Sequence, residues 1–104
     1  MTAYRIAHVT VTDPVAYADY QTLAPAAFAA HGAKFLARGG ASEVLEGPDI
    51  TRQVVIEFPT LAAAKACYAS DAYQRAKQCR ASAATAHVVI VEGLLTTDQS
   101  MHLR

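Results

Sequence analysis

The sequence predicts a single α+β domain: a four-stranded antiparallel sheet with its helices packed on one face. Three observations carry this expectation. Val54 to Phe58 is a β-branched and aromatic run stopped by Pro59, which has no N–H for a ladder, and apolar side chains occupy both of its faces, as in a central strand. Asp13-Pro14 and Thr60 are two strong helix starts, each placed directly after an extended stretch. The resulting order repeats β-α-β twice, and right-handed crossovers then put both helical segments on one side of a sheet ordered 4-1-3-2. That is the split βαβ, or ferredoxin-like, arrangement.

The elements follow in order. Strand 1 runs from Ala3 to Val11 and alternates, with Tyr4, Ile6, His8 and Thr10 on one side and Arg5, Ala7, Val9 and Val11 on the other. Helix 1 runs from Pro14 to about Ala30. Tyr17, Tyr20, Ala24, Ala27, Phe28 and His31 form its inner stripe, Pro25 is expected to kink or split it near Thr22–Leu23, and Gly32 closes it. Strand 2 is Lys34–Arg38, with Gly39-Gly40 as a bulge or bend before an extended Ala41–Glu46 and a turn at Gly47-Pro48-Asp49. Strand 3 lies within Thr51–Thr60. Helix 2 reaches about Ala69, and Ser70-Asp71 re-caps a further helical segment from Ala72 to about Ala83 with Asp71 and Gln74 spaced as a capping box. Tyr68, Tyr73 and Ala76 are its expected inner stripe. Strand 4 is Thr85–Glu92, and Gly93 ends it. The domain thus covers residues 1–94, with a polar C-terminal tail over 95–104.

Composition excludes several classes. At 104 residues the chain is one domain, and 53% hydrophobic content is rich for that size. Nine basic and nine acidic residues cancel, so there is no electrostatic footprint for nucleic acid or an anionic membrane. No apolar run is long enough to span a bilayer, and no signal-peptide layout opens the chain. Cys67 and Cys79 match no metal or redox spacing, which points to a reduced, cytoplasmic protein. Two helical layers cover one sheet face only, while strands 3 and 4 are apolar on both. A symmetric homodimer with sheet faces together is therefore expected; the alternative is a monomer whose sheet curls under its own tail.

The blocks Asp13-Pro14 with Tyr17 and Tyr20, Phe35-Leu36-Ala37-Arg38-Gly39-Gly40, Val44-Leu45-Glu46-Gly47, Val54 to Pro59, Tyr68-Ala69-Ser70 with Tyr73-Gln74, and Val91-Glu92-Gly93 carry a resemblance over residues 3–94. Taken together they resemble the family called domain of unknown function 1330, within the dimeric α/β barrel superfamily. The resemblance implies a ferredoxin-like protomer and a dimer, and a pocket between helices and sheet. The chain departs from the family pattern at Cys67, where a Trp is frequent, and at Pro48-Asp49, where a bulky residue is common. Both changes are expected to reshape a pocket near the helix.

Several polar residues are candidates for that pocket. His8 is a candidate acid or base, as the one side-chain type suited to that work without perturbation; its plain reading is a strand histidine or a residue at the dimer seam. Glu57 is a candidate catalytic carboxylate, facing His8 across adjacent strands, or else a salt-bridge partner of Arg38 or Arg52. Arg38 with the Gly39-Gly40 backbone is a candidate oxyanion or carboxylate anchor, or a surface arginine on a bulge. Tyr20 and Tyr73, with Tyr17 and Tyr68, could orient a small ligand through their hydroxyls or simply fill the core. Arg80 reads as a second anion anchor or a solvated helix charge. His31, His87 and His102 lack ligand spacing, so no metal and no cofactor is expected. Two functions remain open. One is a dimeric small-molecule-binding protein, extending to cofactor-independent catalysis on a keto, phenolic or carboxylate compound. The other is a non-catalytic dimeric binding or accessory module.

Overall fold

The computed structural model describes residues 1–94. The expected tail, with His102, lies outside them. Four strands, β1 (Ala3–Val11), β2 (Lys34–Arg38), β3 (Arg52–Phe58) and β4 (Ala84–Glu92), form one antiparallel sheet in the order β2-β3-β1-β4. This is the predicted ferredoxin-like order. Helices α1 (Pro14–Ala30), α2 (Leu61–Ala69) and α3 (Asp71–Arg80) cover one face.

Local chemistry explains the boundaries. The Asp13 carboxylate accepts from the Ala16 N–H at 3.1 Å, and Pro14 occupies the first turn, where its missing N–H costs nothing. Thr60 caps α2 through the Ala63 N–H at 3.0 Å. Ser70 is the cap of α3, its hydroxyl accepting from the Tyr73 N–H at 3.2 Å, so Asp71 is the first helical residue and not a cap. Gly32 takes a φ of +72° just beyond α1, where a side chain would be strained.

Four expectations need correcting. Helix α1 runs through Pro25 without a break, held by its buried stripe of Tyr17, Tyr20, Ala24, Ala27 and Phe28 against the sheet. The segment 41–46 forms no strand, so the bend at Gly39 ends β2 instead of interrupting it; a register irregularity falls earlier, between Phe35 and Ala37, and residues 39–49 are exposed. Helix α3 ends at Arg80, short of Ala83. Tyr68 is 38% exposed, and Ala64 and Cys67 form the buried side of α2 instead.

The sheet's two faces differ sharply. Ala3, Arg5, Ala7 and Val9 of β1, with Val54, Ile56 and Phe58 of β3, lie under the helices. Phe28 anchors this layer, with ring centroids 5.6 Å from Phe35, 6.3 Å from Phe58 and 5.5 Å from Tyr73. Among the described residues, no helix packs on the opposite face. There Val55, Ile6 and Val89 fall in one cross-strand row, and Glu57, Tyr4 and Val91 in the next. Val89 is 54% and Val91 47% exposed.

An interior proline removes one helical hydrogen bond and crowds the preceding turn. Replacing Pro25 with Ala should therefore stabilise the fold by about 1–3 kcal/mol. A denaturant midpoint no higher than that of the parent chain would show that α1 is already relaxed around the ring.

Candidate functional site

The helix-side layer contains an unusual concentration of positive charge. Arg5 projects from β1 between the small residues Ala3 and Ala7, and only 5% of it is exposed. Arg80, on the last turn of α3, is 8% exposed. Both donate to one oxygen: Nη2 of Arg5 lies 2.6 Å, and Nη2 of Arg80 3.2 Å, from the Tyr73 hydroxyl. The Tyr20 hydroxyl from α1 joins the same oxygen at 3.0 Å. Three elements thus meet at one phenol. Arg5 also stacks on Phe28 and Tyr73, with Cζ 5.2 Å from each ring centroid, and Arg80 on Tyr20 at 5.3 Å.

Arg5, Arg80, Tyr20 and Phe28 line a cavity of about 30 Å³ between α1 and the sheet. Arg38 and Arg52 complete its lining from the β2 and β3 side, with Cζ of Arg38 4.4 Å over Phe35 and that of Arg52 5.8 Å over Tyr17. Four guanidiniums therefore share one small chamber whose other lining is apolar or aromatic apart from Gln21, and among the described residues none of the lining is acidic. The aromatic faces supply only part of what a carboxylate would. Among the described residues, Nε of Arg52 is buried with no hydrogen-bond partner. A buried charge without a counter-charge is costly, by several kcal/mol per ion. Such a lining chemically favours an anion over a cation or a neutral group. The enclosed space holds about two or three waters' worth of volume, which suits a carboxylate or a similar head group.

Protonation states sharpen the chemistry. Burial, then the neighbouring Tyr73, pushes the Tyr20 phenol far above its ordinary value, so it is a neutral hydrogen-bond donor and no base. Burial is the largest single influence on Arg80 and opposes its charge, but its interactions with the Tyr73 and Tyr20 hydroxyls together outweigh this and raise its pKa above the usual arginine value. Among the described residues, the cavity lining includes no histidine, carboxylate, lysine or cysteine. The chamber can hold and polarise an anion; it has no ordinary side chain with which to take a proton.

The sequence-predicted residues divide between the two faces. Arg38 and Tyr20 line the chamber, and Tyr73 is the buried acceptor that orients Arg5 and Arg80. Gly39 acts through its missing side chain: at φ +69°, a Cβ here would lie 2.7 Å from Cζ of Arg52. Gly40 has open space around it. His8 and Glu57 sit on the other face of the sheet. They are not opposite each other, because His8 pairs in register with Gln53 and His87, and Glu57 with Tyr4 and Lys34. Nδ1 of His8 contacts Oε1 of Gln53, and both side a second, larger cavity of about 340 Å³ beneath residues 42–50. Glu43 and Glu46 line that space, as does Pro48. The Glu57 pairing with Arg38 or Arg52 is likewise ruled out by the face each occupies. Cys67 is fully buried, bonds its Sγ to the Ala27 carbonyl at 3.5 Å, and lines neither cavity.

Sequence reasoning missed Arg5 and Arg52 as site residues. The available signal was register: Arg5 and Arg52 share the alternation phase of Ala7, Val9, Val54 and Ile56, the set that the helices cover. Arg80, read as either an anchor or a solvated charge, is buried.

Comparison with known proteins agrees with this architecture. The family model described as a domain of unknown function, DUF1330, matches residues 2–94. A protein of unknown function from Rhodopseudomonas palustris shares 21% identity at a TM-score of 0.72, over 90% of this chain and 83% of that one. SnoaB, a cofactor-independent oxygenase from Streptomyces nogalater, shares 14% identity at a TM-score of 0.62, over 93% and 97% of the two chains. A dimeric protein of unknown function with a ferredoxin-like fold from Bacteroides fragilis shares 14% at 0.60, over 88% and 96%. At these identities the likeness is one of fold. No curated protein matches the chain.

Gly39→Ala should separate backbone strain from ligand contact. The left-handed conformation costs a non-glycine residue about 1–2 kcal/mol, and the new methyl must push the Arg52 guanidinium off Tyr17. The expected outcome is a drop in stability of that size together with weaker anion binding. Parent-like affinity in the folded variant would show that Arg52 need not occupy this position.

Proposed function

The chain belongs to the family described as domain of unknown function 1330, and we propose that it binds a small organic anion in the helix–sheet chamber. One observation carries the proposal: four guanidiniums line one small cavity that, among the described residues, supplies no carboxylate. Arg5 and Arg80, both nine-tenths buried, would hold the anion's oxygens, with the neutral Tyr20 phenol as a further donor. Arg38 and Arg52 would complete the cradle at the sheet edge. Keto acids, phenolates and simple carboxylates share the required chemistry. Binding is favoured over acid–base catalysis because the chamber lacks a proton acceptor, and His8 and Glu57 lie across the sheet from it. An enzyme of this geometry would act on a compound already ionised, with the guanidiniums stabilising its charge.

The same reading includes a homodimer through the open sheet faces. The row of Val55, Ile6 and Val89, flanked by Tyr4 and Val91, is an apolar surface that a second copy would cover. The Bacteroides protein of similar fold is described as dimeric, which supports it. The ligand chamber lies on the other side of the sheet, so each protomer would carry a complete site.

Thermal shift with paired probes tests the anion site. Benzoate and acetate should raise the melting temperature, and benzamide and acetamide should not. Arg80→Met should remove the response to the acids while keeping the fold, since exchanging a buried charge for an apolar side chain of similar size is often neutral or stabilising. An equal response to acid and amide, or an Arg80→Met chain that still responds in full, would refute the reading. For the assembly, sedimentation at micromolar concentration should give a dimer, and Val89→Glu, at a position half exposed in the protomer, a folded monomer. A parent chain that sediments as a monomer would end the dimer proposal.

A further inference from the structure

The charges of the chamber are not spread evenly. Arg5 and Arg80 stand side by side at its inner end, since both donate to the same Tyr73 oxygen. Arg52 and Arg38 stand at the β2–β3 side. Arg52 pairs in register with Val9, four residues along β1 from Arg5, a separation of about 13 Å between the strand positions. Arg38 pairs with Val54, one step of the same face closer, and its side chain is exposed. Between the two pairs the lining includes Ala7, Val54, Tyr17 and Ala24, with the Gln21 amide as an uncharged polar neighbour.

Charge counting then constrains the ligand. A single carboxylate at the inner pair leaves Arg52 without a counter-charge and, among the described residues, its buried Nε without an acceptor. A compact dianion such as phosphate would satisfy one pair and not the other. The enclosed space of about 30 Å³ admits one head group, so the rest of any ligand must extend toward the exposed Arg38. Resting on the anion-site reading above, we infer that the ligand is a dicarboxylic acid with its two acidic groups separated by a short apolar chain. The inner carboxylate is held by Arg5 and Arg80. The outer one is held by Arg52, which gains a partner for Nε, and by Arg38. The chain between them lies along Tyr17 and Ala7. Gly39 belongs to this outer pole, because its missing side chain is the space that the Arg52 guanidinium fills.

Calorimetric titration of the full chain tests this with succinate, glutarate, adipate and pimelate, each against its own monomethyl ester, and with inorganic phosphate. One of the diacids is expected to bind at least about tenfold more tightly than its half ester. Arg52→Gln is expected to weaken that diacid about tenfold and its half ester by less than about threefold, so that most of the difference between them disappears. Half esters that bind as well as diacids, or phosphate that binds better than every diacid, would overturn the two-pole inference and leave a simple anion site standing. Equal losses for diacid and half ester in Arg52→Gln would overturn it as well. Failure of every acid to bind would defeat the anion-site reading, and this inference with it.

Discussion

The phenol oxygen of Tyr73 holds the protomer together at its most demanding point. Two guanidiniums from different elements converge on it, buried and, among the described residues, without an acid in the surrounding chamber. Unpaired, either charge would oppose folding by several kcal/mol. Three devices offset this. The phenol accepts from both arginines and is joined by the Tyr20 hydroxyl. Aromatic faces lie under each guanidinium. The arginine stems, meanwhile, add to the apolar packing around Phe28. The contact ties β1, α1 and α3 at one position, so the chamber's shape and the packing of the helices cannot be altered separately.

The sheet divides two physical tasks between its faces. Toward the helices, alanines at 3, 7, 24 and 27 keep the layers close and leave space for long cationic side chains. Toward the open side, β-branched residues of three strands align in a row with no helix above them among the described residues. Because strand side chains alternate, neither face can borrow the other's residues. The charge chemistry of the helix–sheet chamber and the apolar surface proposed for assembly are therefore insulated from each other by the sheet. The cross-strand pair of His8 and His87 belongs to the second surface and stands apart from the arginines.

Much of the architecture could be read directly from the chain. The bounds of β1, α1 and β2, the sheet order, and the buried stripe of α1 all follow from local signals: alternation, caps, a first-turn proline and a closing glycine. Resemblance to the family agreed with them. The chemistry was less legible. Alternation sorted β1 into the Tyr4-Ile6-His8 set and the Arg5-Ala7-Val9 set, but periodicity carries no label for the covered side. Ile6 and Tyr4 are bulkier than Ala3 and Ala7, which favours the wrong choice. A histidine among large apolar residues then looks like a site, and an arginine among alanines looks like surface.

What the sequence determined alone is the set of elements and their order, because each rests on interactions within a few residues: hydrogen bonds at helix ends, φ values open to proline and glycine, and the two-residue period of a strand. What only the tertiary structure decided is which set of β1 side chains meets the helices, and hence that Arg5, Arg52 and Arg80 share a chamber with Arg38 and Tyr20 while His8 and Glu57 do not. That outcome depends on matching β1 to β3 in register and on the fit of α1 and α3 against small residues. Those contacts join positions as far apart as Arg5 and Tyr73, and no local pattern encodes them.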